Sequence, residues 1–117
     1  MRLIVLLGVL LLLAAPASAQ TVNPTTVAFD HADYAGTDSY SIGYFSSATA
    51  TAPVQEAAFP KPGSCSPCTG ALPSRPSAFQ VWYVGARAVA GTLTSAWSAP
   101  LVPFQRVPVA PTNVTVK

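Results

Sequence analysis

The sequence predicts an all-β domain, and three observations lead to this prediction. No segment places apolar residues at positions i, i+3, i+4 and i+7 over three helical turns. Eleven of the twelve prolines lie after residue 19 and are spread along the chain, where they interrupt any long helix. Short runs rich in Thr, Val, Tyr, Ser and Ala stand between turn residues, and this pattern is typical of several short strands.

The first 19 residues have the three parts of a secretory signal peptide. Met1 and Arg2 give a positive start, residues 3–13 form an apolar run, and residues 17–19 (Ala-Ser-Ala) form a small-residue cleavage site. The run is shorter than the roughly twenty residues that span a bilayer, although an N-terminal anchor is the alternative. We therefore expect a secreted or periplasmic protein that is cleaved after Ala19 and has no membrane span in its mature chain.

The charge balance of the mature chain excludes nucleic acid as an expected partner. Five basic and four acidic residues remain after residue 19, and the basic residues form no cluster. A nucleic-acid-binding domain usually carries a basic patch or stripe.

The length of the mature chain allows one domain, near the low end of the sizes that hold a good core.

Two strands are predicted in the first part of the mature chain. Residues 25–29 form the first run, and residues 39–45 form the second, in which large and small side chains alternate as in a half-buried strand. Residues 30–38 between them are rich in Asp and Gly and are predicted to form a loop. The expected core side chains of these two runs are Phe29, Tyr40, Ile42 and Tyr44, and Val27 shares a face with Phe29.

A long ordered loop is predicted for residues 60–76, after a short edge strand over residues 54–59. Five prolines interrupt the loop, and each lacks the N–H group that a central strand must donate. Long loops in compact domains are often functional or else flexible, and the sequence leaves both alternatives open.

Cys65 and Cys68 are the two cysteines of the chain, and in an exported protein they are expected to form a disulfide with each other. Such a short loop pins a local turn more than it stabilises the whole fold. A redox CxxC site is one alternative, but no helical pattern follows, as it does in thioredoxin-like sites. A metal site is another, but the chain has one His to complete it. We expect no metal and no cofactor.

The strongest strand signal covers residues 78–90. Trp82 and Val84 lie on the face that is expected to enter the core, and Arg87 lies on the opposite face. The residues before Trp82 are out of phase with that face, so a bulge or a twist is expected near residue 81.

A hairpin is predicted to follow, with its turn at Gly91 and Thr92 and its returning strand over residues 95–99. Arg87 and Trp97 would then lie on neighbouring strands, where a guanidinium group can stack on an indole ring as a cation–π pair. An arginine that is simply solvated is the alternative.

Several of these runs together resemble a fibronectin type III module. Residues 27–33 resemble its second strand, residues 40–44 (Tyr-Ser-Ile-Gly-Tyr) its third, and residues 86–91 with 95–100 its last hairpin. The resemblance covers about residues 25–104 and implies an immunoglobulin-like antiparallel β-sandwich. We place this fibronectin type III-like domain at residues 20–106.

Three features depart from the family pattern, one of them the long proline-rich loop with its CxxC, and a fourth feature adds to the resemblance. Trp82 stands where the family commonly has Tyr, so the tyrosine-corner hydrogen bond is not implied. Residues 20–24 alone remain for a first strand. Residues 95–98 (Ser-Ala-Trp-Ser) are similar to half of the Trp-Ser-x-Trp-Ser box of cytokine receptor modules, where arginine stacking occurs.

The C-terminal segment, residues 107–117, looks like a linker followed by the opening strand of another such module. Val114 and Val116 alternate with polar residues, as in an edge strand, and an unpaired edge strand is a template for strand addition. Three alternatives are open. The segment replaces the short first strand of its own sheet, it is a loose tail, or it pairs with another chain and gives self-association.

The sequence favours a non-catalytic function. Asp30, His31 and Asp33 are a candidate cation or acid–base cluster, with a polar turn as the alternative, and no nucleophile, base and orienting residue can be assembled. We therefore expect not an enzyme but an exported binding or spacer module that acts through protein or carbohydrate contacts. The alternatives are a thiol–disulfide or metal-binding protein that uses Cys65 and Cys68, and a truncated fragment of a multi-module protein.

Overall fold

The computed structural model describes residues 20–117, and the predicted signal peptide lies outside the described residues. The described chain is all-β, which confirms the predicted class. Its strands are β1 Thr21–Val22, β2 Thr26–Phe29, β3 Ser39–Phe45, β4 Gln55–Pro60, β5 Cys68–Ala71, β6 Val81–Ala90, β7 Leu93–Thr94 and β8 Val102–Gln105. A single 3-10 turn, Tyr34–Gly36, lies between β2 and β3. Within residues 20–117, no helix has the length and apolar character needed to cross a membrane.

The strands form two sheets, an arrangement consistent with a β-sandwich. The large sheet has the order β1-β8-β6-β3-β4, with β7 also paired to β6. Within residues 20–117 the small sheet contains β2 and β5, which are antiparallel. The large sheet is mixed, because β1 runs parallel to β8 whereas its other pairs are antiparallel.

The core lies between the two sheets. Tyr40, Ile42 and Tyr44 project from β3, and their exposed fractions are 2%, 0% and 0%. Trp82 and Phe104 meet as cross-strand partners of β6 and β8 and are also buried. The buried cluster is completed by Phe59, Cys68 and Leu72, with Val27, Phe29 and Val84 packed against it.

Strand β3 is buried on both faces at its end, whereas the alternation predicts a strand with one exposed face. Gly43 and Phe45 are buried on the outer face because Trp97 covers them. The rings of Phe45 and Trp97 meet edge to face with centroids 5.3 Å apart. A Cβ atom at Gly43 would lie 2.8 Å from Cη2 of Trp97, so only glycine allows this approach.

The predicted loop over residues 60–76 contains strand β5, and here the prediction is wrong. The prolines flank Cys68–Ala71 and leave it free to pair with β2 along its whole length. The predicted returning strand over residues 95–99 is also wrong in extent, because the strand β7 ends at Thr94. Near residue 81 there is no bulge: β6 begins at Val81, and Phe79 lies outside it.

The C-terminal segment does not replace the first strand of its own sheet. β1 holds that position beside β8, and residues 107–117 form no strand. The segment begins at Val107, whose N–H group donates to Oδ1 of Asn23 at 3.1 Å. The Asn23 amide in turn donates to the carbonyl of Val107 at 3.0 Å.

Candidate functional site

The small sheet covers only part of the large one, and this mismatch opens a groove along one side of the domain. Val102 is the cross-strand partner of Val84 and therefore shares its core-facing side. The residue is nevertheless 57% exposed, because no strand of residues 20–117 lies beside β2 to cover it. We name the groove between β2 and residues 95–104 the lateral cleft.

Two cavities, which follow one another along β2 and β6, give the lateral cleft an apolar floor. The upper one, of about 290 Å³, is lined by Phe29, Tyr40 and two alanines of β6, Ala86 and Ala88. The lower one, of about 200 Å³, is lined by side chains that include Val27, Leu72, Val84 and Val102. Because alanines and valines line much of the cleft, there is room for the side chains of another segment.

The first wall of the cleft is the free edge of β2. The N–H group of Leu72 donates to the carbonyl of Thr25 at 2.9 Å, so these two residues form a hydrogen-bonded pair of the β2–β5 ladder. Hydrogen-bonded and non-hydrogen-bonded pairs alternate along an antiparallel ladder. Thr26 and Ala28 therefore point their N–H and carbonyl groups away from β5, toward the lateral cleft.

The opposite wall is held to β6 by serine side chains instead of a regular strand. The N–H groups of Ala88 and Ala86 donate to the hydroxyl oxygens of Ser95 and Ser98, both at 2.9 Å. The backbone N–H groups of the two serines donate back to the carbonyls of Ala88 and Ala86, at 2.9 and 2.8 Å. A Ser-x-x-Ser spacing after a hairpin turn is the sequence signal for this wall, and the strand prediction missed it.

At the upper end of the cleft, the predicted acid–base cluster does not converge on a reacting centre. Nδ1 of His31 lies 3.0 Å from the hydroxyl of Tyr40, and their rings meet edge to face. Burial raises the pKa of Tyr40, so this hydroxyl stays neutral at ordinary pH. Asp33 accepts a hydrogen bond from the Thr37 hydroxyl through its backbone carbonyl, as in a polar turn. In residues 20–117 no three His, Cys, Asp or Glu side chains are placed to hold a metal ion.

The structure brings the side chains of Arg87 and Trp97 together on the outer face of the large sheet. Cζ of Arg87 lies 4.5 Å from the centroid of the indole ring. Nη2 of the same arginine is 2.7 Å from Oε2 of Glu56 on β4. This stack links residues 95–98 to β6 and β4, and so it supports the serine-bonded wall from behind.

The CxxC pair lies away from the lateral cleft, on the side of β2 that β5 occupies. Cys65 and Cys68 are within disulfide distance of each other and are bonded. Cys68 is 0% exposed, with Sγ 4.0 Å from the Tyr40 hydroxyl, and Cys65 is half-buried against the core. A buried sulfur of this kind is poorly placed for exchange with a substrate thiol.

The predicted strand-pairing segment makes no contact that would hide its apolar side chains. Val114 and Val116 are 79% and 98% exposed. The lateral cleft and this segment are thus two separate surfaces of the described chain. Each has backbone groups that could pair with another strand. No family model, curated protein or solved structure matches the chain.

Proposed function

We propose that the chain is an exported, non-catalytic binding module with a fibronectin type III-like β-sandwich, and that it binds an extended protein segment in the lateral cleft. The observation that carries this proposal is the free edge of β2 beside an apolar floor. Thr26 and Ala28 offer backbone donors and acceptors, and Val102 on the core-facing side is 57% exposed. Edge pairing supplies affinity in strand addition, and pockets for alternate side chains supply specificity.

The chemistry of the cleft favours a protein segment over a carbohydrate. Its floor is formed by alanine, valine and aromatic side chains, and Arg87, which also lines the upper cavity, is engaged by Glu56 and Trp97. An extended segment would complete the two-stranded small sheet and cover this floor in the same step. An oligosaccharide would leave the backbone groups of the free edge only partly satisfied.

The test is a binding selection with displayed ten-residue peptides that carry Val or Ile at alternate positions, alongside an oligosaccharide array. The matched variants are Ala28→Pro, which removes the N–H group on the cleft side, and Ala28→Ser, which keeps it. Proline is tolerated on an edge strand where its missing N–H would face solvent, so the fold should survive. Peptide binding that persists in Ala28→Ser and is lost in Ala28→Pro supports the proposal. Binding that Ala28→Pro leaves unchanged, or binding of oligosaccharides alone, contradicts it.

A further inference from the structure

We infer that the segment bound in the lateral cleft is residues 112–117 of a second copy of this chain. The inference rests on the proposed function, because it names the occupant of the same cleft. Each copy would then insert its C-terminal segment beside β2 of the next copy. A contact of this head-to-tail kind joins different surfaces on the two copies, so each new copy leaves one cleft and one segment free.

The segment has the composition of a strand that lacks a sheet. Thr112, Val114, Thr115 and Val116 are β-branched, and such residues favour strands. The two valines occur at alternate positions and therefore project from one face of an extended chain. Their exposed fractions of 79% and 98% leave this apolar face uncovered in the single chain.

The spacing of the cleft matches this face. Side chains at i and i+2 on a strand lie about 7 Å apart on the same side. The floor residues Val84, Ala86 and Ala88 follow one another along β6 with the same spacing, and their half-buried side chains leave room above them. Val114 and Val116 would therefore enter the lower and the upper cavity in turn.

Charge complementarity sets the direction of the inserted segment. Lys117 is the one charged side chain of residues 107–117. Asp30 lines the upper cavity, and Asp33 lines the recess that adjoins it. Within residues 20–117 neither carboxylate forms an ion pair. The segment therefore runs parallel to β2, which brings Lys117 to these carboxylates at the upper end of the cleft.

Within one copy, the C-terminal segment starts at Val107, and hydrogen bonds fix the position of this residue. Val107 is tied to Asn23 by two hydrogen bonds. In the structure, residues 108–117 are exposed along their whole length. These exposed residues are therefore accessible to the lateral cleft of a second copy.

The experiment is sedimentation velocity of the mature chain, residues 20–117, over a wide range of protein concentration. The wild-type chain is expected to form a ladder of oligomers that grows with concentration. Val114→Asp/Val116→Asp alters the segment, Ala28→Pro alters the cleft, and Ala28→Ser is the matched control. We expect each of the first two to weaken self-association at least about tenfold. Each removes interactions whose free energy is about that of one or two hydrogen bonds. Ala28→Ser should associate like the wild type.

A peptide experiment separates this inference from the proposed function. A labelled peptide of residues 108–117 is titrated into the Val114→Asp/Val116→Asp chain, whose own segment cannot compete. Binding that weakens with salt, with Lys117→Glu in the peptide and with Asp30→Asn in the chain is the expected result. A chain that binds selected alternating peptides but neither this peptide nor itself overturns the inference and leaves the proposed function standing. A chain that binds no extended peptide overturns both.

One further outcome decides between two copies and one. A wild-type chain that stays monomeric at every concentration, yet becomes less stable in urea when Val114 and Val116 are changed to Asp, would mean that the segment inserts into its own cleft. That result overturns the assignment to a second copy. Oligomers that the two altered chains form as readily as the wild type overturn it as well.

Discussion

Arg87 stacks on Trp97 in the middle of the outer face, with Cζ 4.5 Å from the centroid of the indole ring. The same guanidinium group pairs with Glu56, but the two side chains are 27% and 33% exposed. An ion pair this exposed contributes at most about 1 kcal/mol to the free energy of unfolding. The packing of Trp97 on Phe45, at 5.3 Å, and on Gly43 is therefore the larger stabilising interaction of this stack.

Trp97→Ala should lower the free energy of unfolding by about 2–3 kcal/mol, below the usual cost for a fully buried aromatic because Trp97 is half-buried. Gly43→Ala should cost about 1–3 kcal/mol, since the added Cβ would lie 2.8 Å from Cη2 of Trp97. Urea unfolding of both variants and of the double variant measures their coupling. In the Trp97→Ala background the two contacts with the indole ring are gone and only Cε1 of Phe45, at 3.0 Å, still crowds the added methyl group, so the second cost should shrink. Strictly additive costs would contradict this packing, and Thr94→Ala, on the exposed β7, is the control.

The serine-bonded wall predicts a local change in hydrogen exchange. Ser98→Ala removes the acceptor of the Ala86 N–H group, which lies 2.9 Å from the hydroxyl oxygen. The lost bond is worth about 1 kcal/mol, so exchange of the Ala86 amide should accelerate about fivefold if it occurs by local opening. Ser95→Ala should have the same effect on Ala88, and Ser47→Ala should change neither amide. Exchange at Ala86 that does not respond to Ser98→Ala would mean that the hydroxyl is not the acceptor.

Local sequence patterns predict those strands that carry their own alternation of large and small side chains. Residues 39–45 are predicted to be a strand and form β3, because Tyr40, Ile42 and Tyr44 form an apolar face that needs no other information. Strand β5 (Cys-Thr-Gly-Ala) has no such face. It becomes a strand because β2 pairs with it and because the core accepts Cys68, and both are tertiary effects.

The candidate site is harder to predict than the strands, for a related reason. The lateral cleft exists because the small sheet holds two strands and the large one holds five along its main path. The number of strands in each sheet depends on how distant segments pair, and no local sequence pattern predicts it. The stack is different: a strand followed by a tight turn sets Arg87 and Trp97 on neighbouring segments, so sequence reasoning could place the two side chains together. It could not foresee that Ser95 and Ser98 take the place of a strand.

Tyr44 should make the fold sensitive to alkaline pH. Its hydroxyl donates to the carbonyl of Pro73, and burial raises its pKa to about 12, although Arg75 acts in the opposite direction. A tyrosine whose pKa is raised in the folded state stabilises the fold fully below the ordinary value of 10.0, and this contribution is lost as pH rises toward 12. The free energy of unfolding should therefore fall by about 2–3 kcal/mol over that range.

The measurement is urea unfolding of the wild type and of Tyr44→Phe at pH 7 and at several values between pH 10 and 12. At pH 7 the variant should be about 1 kcal/mol less stable, because the Pro73 carbonyl loses its donor. Above pH 10 the variant should lose less stability than the wild type, and the remaining loss includes the contribution of Tyr40, whose pKa burial also raises. Parallel losses in the two chains would show that Tyr44 does not titrate in this way.

The CxxC pair should behave as a structural staple. Cys65→Ser removes a four-residue loop and should lower the free energy of unfolding by about 2 kcal/mol on a chain-entropy estimate. The remaining thiol of Cys68 is 0% exposed, so its alkylation by iodoacetamide should be at least about a hundredfold slower in the native chain than in urea. In Cys68→Ala, the half-buried Cys65 should react faster under native conditions, which makes this chain the matched comparison.

A native Cys68 that reacts as fast as in urea, together with rapid insulin reduction by the wild type that Cys65→Ser abolishes, would instead identify a thiol–disulfide protein. Cys68 must open away from the Tyr40 hydroxyl and the core for that chemistry, so the alkylation rate decides directly between a staple and a redox site.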